Sequence, residues 1–302
     1  MGKLFDHIFL ARPVLLPPVW TILLLGYHRS VTLNGESGSI FLTFILLTFL
    51  SGAIYVLNQI CDIETDRINR KLFLLPDNVI SRKSAIVQTV IMNLVSIVPA
   101  FFISLTLGIL FILGFILSYI YSAPPLVLKN RPFGGLLSNA LGHGSLVFLI
   151  GWCANTNLSA KALLYSVPYL LAVGAIYLNT TIPDIEGDKK VGKITLAVKW
   201  GKFASKLFSG FLVLTALVFS VMLKDYFFSV VTFISAVFFV YMILSDNNQV
   251  IILATKIAVL GLSIVAGIFY IWYFILLLFV YIISKIYYRS RFNMNYPTLL
   301  GE

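Results

Sequence analysis

Charge is what this sequence has least of. Asp, Glu, Lys and Arg make up 11% of the 302 residues, and only twelve residues are acidic. Soluble domains carry about 25% charged residues, so this chain cannot clothe a water-facing surface of its size. Cysteine is scarce as well. Cys61 and Cys153 fall at or inside apolar runs, which excludes a disulfide framework and a thiolate zinc site. No small-residue cleavage site follows the short apolar piece between Lys3 and Arg12, so no cleaved leader is expected there.

Apolar sequence fills the rest. The chain is 59% hydrophobic, against about 45–50% in a soluble domain. Many runs approach the roughly 20 residues that cross a bilayer. Spans are expected at 14–28, 40–58, 85–104, 106–122, 136–153, 162–181, 204–223 and 227–244. The stretch 251–288 is long for one crossing and divides naturally into 251–268 and 270–288. With the N-terminus inside, one face holds Lys3, Arg12, Arg67, Arg70, Lys71, Arg82, Lys83, Lys129, Arg131 and the basic residues from Lys189 to Lys206. The other face holds only Arg29, Lys161 and Lys224. Cytoplasmic loops carry the Lys/Arg excess, which favours this orientation. Lys285, Arg289 and Arg291 prefer the same side and argue for ten helices over nine. The expected fold is thus all-α: one polytopic helical domain over residues 1–302 in a bacterial-type inner membrane or its equivalent. The net charge of +10 is mostly one face of such a protein, suited to anionic lipid, and not a nucleic-acid signal.

Half of the acidic residues sit in two windows, "NQICDIETDR" at 58–67 and "PDIEGDKK" at 183–190. Both follow apolar runs and fall on the same cytoplasmic side. Asn58, Asp62 and Asp66 are spaced i, i+4, i+8 and share one helical face if the helix continues past the span. Asp184 and Asp188 repeat the interval, whereas Glu64 and Glu186 lie off phase. Like charges at i, i+4 destabilise a helix, so something must compensate. Arg67, Arg70, Lys189 and Lys190 can neutralise solvated acids. Two windows with matching spacing point further, to a hard cation. Mg²⁺ takes carboxylate oxygens and keeps positions for water and phosphate. Carboxylates, Mg²⁺ and nearby Lys/Arg make a diphosphate clamp. At a membrane interface the fitting diphosphate is an isoprenoid one, with its tail between helices and its head among the acids. Charge neutralisation would let the allylic C–O bond ionise, and aromatic faces stabilise a cation.

The motifs NxxxDxxxD (Asn58, Asp62, Asp66) and DxxxD (Asp184, Asp188), with "YSAPPLVLKNRPFGG" from Tyr121 and "DIEGDKKVGKITLAVKWG" from Asp184, resemble the UbiA superfamily of intramembrane prenyltransferases. The wording is most similar to homogentisate and chlorophyll-type members and their bacterial relatives. That resemblance implies a ring of helices around a central cavity, cytoplasmic cap loops and a lateral opening for the prenyl tail. It implies one Mg²⁺ at Asn58, Asp62 and Asp66 and a second at Asp184 and Asp188. Arg12, Tyr121 and Lys129 match residues the family points at the phosphate head or the acceptor. Arg12 also reads as a snorkelling interfacial arginine, and Lys129 and Arg131 as topology charges. Arg67, beside Asp66, is a candidate phosphate contact, and Arg70 and Lys71 are candidates to replace a basic residue that the family carries where Phe73 stands. Asn78 takes the place of a usual glycine and tolerates the left-handed turn better than most residues. Thr181 replaces a further family aspartate, so a weaker second metal is expected.

Asn139 and His143 share a face of the fifth span, where small and polar residues serve either helix packing or an acceptor pocket. The reading is transfer of a prenyl chain, geranylgeranyl or similar, to an acceptor of the aromatic quinone-precursor type. A hydroxyl or carboxylate acceptor and an internal cyclisation are the alternatives within the same chemistry. A cation-coupled transporter is the rival class. It would carry its charges near the midplane, whereas these cluster at one interface.

Overall fold

The computed structural model describes residues 3–36, 38–69 and 73–297, and Arg70 and Lys71 lie outside them. Among the described residues the structure is helical throughout, with no strand. In an apolar solvent a helix satisfies its backbone within its own segment, and a chain of long apolar runs has few other options. The short helix α1 (Lys3–Leu10) leads into α2 (Leu16–Asn34), α3 (Ile40–Asn69), α4 (Arg82–Ile103) and α5 (Leu105–Ser122). The next crossing is built from α6 (Pro132–Asn139), a π-helical segment at Ala140–Leu146 and α7 (Val147–Cys153). Then come α8 (Ala160–Thr181), the short α9 (Ile185–Lys190), α10 (Leu196–Met222), α11 (Tyr226–Leu244), α12 (Asn248–Phe269) and α13 (Ile271–Phe292). Ten of these segments are long and apolar enough to cross a membrane.

Side chains set the starts of the helices. Ser81, Ser104, Ser159 and Thr195 each accept a backbone N–H three residues on, which satisfies donors that a helix start leaves open. Ser104 therefore divides α4 from α5, and non-helical backbone at Tyr270 (φ −131°, ψ 84°) divides α12 from α13. The stretch 251–288 is two helices. The expected span at 204–223 begins earlier, at Leu196, and Gly201 with φ 81° breaks its helical path.

Neighbouring helices close a ring in the order α2, α3, α5, α7, α8, α10, α11, α12 and back to α2. Helix α4 packs outside on α3 and α5, and α13 packs on α12 and on the turn before α2. Both ends of α13 are tied down. Tyr273 shares hydrogen bonds with Thr21 and Pro17, and Tyr287 and Arg291 bond to buried Asp6. At the opposite end of the molecule Asp225 accepts from Tyr169 at 2.9 Å and from the Phe228 N–H. Burial pushes the Asp225 carboxyl up from the usual range, against the pull of Arg29, Tyr169 and the Phe228 amide.

Helix α2 also packs directly across the ring on α7. A Cβ on Gly26 would stand 2.2 Å from the Phe148 carbonyl oxygen, and one on Gly151 would stand 2.0 Å from that of Leu23. Small residues let membrane helices approach this closely. Two cavities with four lining residues in common lie in the interior. Gly151→Val cannot be absorbed by a rotamer change, because the clash is with backbone. Overpacking costs about 1–3 kcal/mol where side chains can give way, and here the upper end is expected. A detergent-solubilised G151V protein should melt clearly below the parent in a thermal-shift measurement, and an unchanged midpoint would refute the α2–α7 contact.

Candidate active site

Helix α3 runs unbroken to Asn69, well past the apolar run that ends near Leu57. Asn58, Asp62 and Asp66 therefore stand one turn apart on one face. Asn58 donates to the Ser122 hydroxyl at 3.2 Å, which ties this face to the end of α5. Val127, in a left-handed conformation with φ 43°, and the following turn at Leu128–Asn130 carry Lys129 inward. Its ammonium is buried and lies 2.5 Å from Asp62 Oδ1.

The second motif is presented differently. Helix α8 stops at Thr181, Pro183 follows, and Asp184 caps the separate helix α9. Asp188, one turn on, is buried, and its Oδ1 is 3.2 Å from Lys193 Nζ. Gly192 at φ 71° turns the chain so that the Lys193 N–H bonds the Asp188 carbonyl and its side chain folds back. Asp62, Asp66, Asp188, Lys129 and Lys193 line one pocket of about 200 Å³.

Asp188 Oδ2 is buried and has no hydrogen-bond partner among the described residues. An orphaned carboxylate oxygen costs free energy unless something binds it. A pocket of carboxylate oxygens with one left open fits a hard cation such as Mg²⁺. Among the described residues, no three His, Cys, Asp or Glu side chains are close enough to hold an ion alone. The donor set therefore suits a cation that takes further oxygens from a phosphate and from water.

Beneath this pocket lie the two cavities. The first, about 190 Å³, is lined by Asn58, Arg12, Tyr121 and aliphatic residues of α3, α5 and α7. The second, about 300 Å³, lies among α2, α8 and α12. Leu15, Tyr55, Asn139 and His143 line both and form the wall between them. Arg12 reaches the first cavity from a left-handed backbone, φ 53°, at the break between α1 and α2.

Of the residues the sequence singled out, Asp62, Asp66, Asp188 and Lys129 meet in the polar pocket, and Asn58, Arg12, Tyr121 and Asn139 line the first cavity. Asp184 heads α9 and does not line the pocket. Arg67 bonds Glu64 and the Pro76 carbonyl and does not line the pocket. Lys189 pairs with Glu186 on an exposed face, and Arg131 is exposed at the start of α6. Glu64 and Glu186 are exposed, as their phase implies. Asn78 takes the left-handed turn expected of it, at φ 56°. Lys193 was countable from sequence only as a topology charge. The glycine before it was the available hint that the chain turns back there.

A family model described as the UbiA prenyltransferase family matches residues 15–249. The chain belongs to the UbiA prenyltransferase family. The matched span ends as α12 begins, so α13 lies beyond it. Digeranylgeranylglyceryl phosphate synthase of Methanocaldococcus jannaschii is 30% identical over 197 residues, 65% of this chain and 68% of that one. 1,4-Dihydroxy-2-naphthoate octaprenyltransferase of Bacillus subtilis is 38% identical over 96 residues, 32% of this chain and 30% of that one. A solved structure of digeranylgeranylglyceryl phosphate synthase superposes with a TM-score of 0.67 at 26% identity, covering 88% of this chain and 99% of that one. A UbiA homologue from Archaeoglobus fulgidus, solved with GPP and Mg²⁺, has the same fold at 19% identity, with a TM-score of 0.64 and coverage of 86% and 99%.

Proposed function

We propose that this UbiA-family protein transfers a prenyl chain from an isoprenoid diphosphate to a nucleophilic acceptor, with its polar pocket facing the cytoplasm. One juxtaposition carries the reading: three carboxylates, that of Asp188 buried, and two lysines line a pocket beside a mostly apolar cavity, and Asn58 and Asp62, one turn apart on α3, join the two. The diphosphate head belongs among Asp62, Asp66, Asp188, Lys129 and Lys193, and the chain in the cavity below. Mg²⁺ bound by the aspartates with the phosphate oxygens, two ions by the family resemblance, would neutralise the charge that develops on the leaving group. Lys129 and Lys193, now paired with Asp62 and Asp188, supply further positive charge there. The allylic C–O bond breaks and its electron pair leaves with pyrophosphate. The acceptor forms the new bond to the prenyl carbon and gives up its proton. Tyr121 and Tyr55 border the first cavity, where ring faces stabilise a cation.

The sequence wording favours an electron-rich aromatic ring as the acceptor. Purified protein incubated with geranylgeranyl diphosphate, Mg²⁺ and either 1,4-dihydroxy-2-naphthoate or an alkylglycerol should release pyrophosphate and yield a prenylated product by mass spectrometry. A cyclised hydrocarbon formed without acceptor would assign the chain to the cyclase branch instead. No pyrophosphate from any allylic diphosphate would refute the proposal.

A further inference from the structure

Helix α1 has only eight residues, yet three other helices grip it. From α3, the buried Gln59 donates to the Leu10 carbonyl at 2.7 Å. From α4, Gln88 Oε1 lies 2.6 Å from His7 Nδ1, the Gln88 amide donates to the His7 carbonyl at 2.9 Å, and Ser84 Oγ lies 3.1 Å from His7 Nε2. From α13, Tyr287 donates to Asp6 Oδ1 at 2.8 Å, and Arg291 donates to both carboxylate oxygens at 3.3 Å. Phe9 stacks on the Tyr287 ring at 3.7 Å. Asp6, Phe9, Leu10 and Tyr287 are all buried. Isolated helices shorter than about 12–15 residues are marginal, so these contacts fix where α1 stands. Helix α1, Arg12 and α13 all lie outside residues 15–249, and the bond between Asp6 and Tyr287 joins the two ends of the chain around the family core.

What α1 delivers is Arg12. Its φ of 53° is uncommon for a residue other than glycine. Such a conformation persists only where the surroundings over-determine it, and it gathers at sites that hold ligands. The Arg12 N–H bonds the Phe9 carbonyl at 3.0 Å, and the Arg12 carbonyl accepts from the Leu15 N–H at 2.9 Å. The residue is thereby locked to α1 on one side and to the turn before α2 on the other. A free interfacial arginine carries its charge out to water. This one lines the first cavity with Asn58 instead, and among the described residues of that lining it alone has a formal charge.

We infer that α1 and α13 form a clasp that holds Arg12 in the first cavity, and that Asp6 and Tyr287 are positioning residues for the diphosphate, acting through Arg12 without touching it. The inference rests on the prenyl-transfer reading, which places the diphosphate head beside Asn58. The Tyr287 hydroxyl and the Arg291 guanidinium hold the Asp6 carboxylate, Asp6 and Phe9 hold α1, and α1 sets the backbone that aims Arg12.

The test reads binding, without turnover. Geranyl thiolodiphosphate, a soluble and slowly reacting donor analogue, is titrated with fixed Mg²⁺ into the purified full chain in lipid nanodiscs, with uncharged geraniol as the control. Arg12→Gln should weaken analogue binding about tenfold or more, as loss of a charged hydrogen-bond donor does. Tyr287→Phe, which keeps the ring stacked on Phe9, and Arg291→Gln, on a half-exposed side chain, should each weaken it about threefold to tenfold and leave geraniol binding unchanged. In the Arg12→Gln background Tyr287→Phe should cost nothing further, because residues that act through one another are not additive. Equal losses for analogue and geraniol would mean a general loosening of the fold and overturn the inference. A Tyr287→Phe loss of the same size with and without Arg12 would overturn it too, as would clasp variants that bind like the parent. Should Tyr287→Phe fail to fold, as read by its melting midpoint, the same cycle is run with Arg291→Gln. Pyrophosphate release by the parent from geranylgeranyl diphosphate is measured separately. Its absence would sink the prenyl-transfer reading and this inference with it, whereas an active parent with an additive cycle would sink the clasp alone.

Discussion

Chelation of divalent cations with EDTA should stop turnover entirely, and Mg²⁺ in excess should restore it. Three aspartates line one pocket, and the buried Oδ2 of Asp188 has no partner among the described residues. Asp62 and Asp188 are each held by a single lysine. A diphosphate brought into that pocket without a cation would meet three carboxylates at close range. Unscreened like charges at such distances repel by several kcal/mol in a medium of effective dielectric near 20, on the order of 4 kcal/mol at 4 Å. Because no three acids among the described residues close on one ion unaided, cation and diphosphate should bind together, each weakly alone. Pyrophosphate release followed against free Mg²⁺ would show this as an apparent metal affinity that tightens with added substrate. Undiminished turnover in excess chelator would overturn the assignment of the pocket.

The second large effect should come from the aspartates themselves, and unequally. Asp62→Ala, Asp66→Ala and Asp188→Ala each remove a group that lines the pocket, and activity should fall to background. Removing one preorganised group aimed at developing charge costs about 10²–10³ in rate, and a direct metal ligand should cost at least that. Asp184→Ala should be milder and respond to raised Mg²⁺, because Asp184 stands at the head of α9 outside the pocket lining. Glu64→Gln and Glu186→Gln, on exposed side chains paired with Arg67 and Lys189, should stay near the parent rate. Steady-state kinetics on this set checks the order, and glutamate variants as damaged as those of Asp62 and Asp188 would refute it.

The first motif was legible because one regular rule governs it. A single helix carries Asn58, Asp62 and Asp66, and a period of 3.6 residues fixes their common face. The same rule shows why Arg67 pairs with Glu64 and does not line the pocket of Asp62 and Asp66. Neighbours in a helix point about 100° apart, and that rotation carries Arg67 toward Glu64 and Pro76. The second motif was legible in spacing but not in presentation, because Pro183 ends α8 and starts a new helix axis. Lys193 was hidden for a related reason: its approach depends on a left-handed glycine and a backbone bond to Asp188, and no periodicity encodes either. The ten crossings followed from run lengths and charge. The close approach of α2 and α7 did not, because it depends on Gly26 and Gly151 meeting the backbones of Phe148 and Leu23, contacts between segments more than a hundred residues apart.

The polar pocket lies at the end of α3 beyond its apolar run, while both cavities lie among the spans. That placement sorts the two products of the proposed reaction into different phases. Pyrophosphate is discharged into water. The alkylated acceptor gains a chain whose methylenes each favour the hydrocarbon by about 0.8 kcal/mol, so it stays in the bilayer. Reversal would need a dilute ion and a lipid to meet again at one small aperture. Separation of the products into two phases therefore draws the transfer forward, and the energy for it comes from the broken allylic C–O ester bond and the release of pyrophosphate to water.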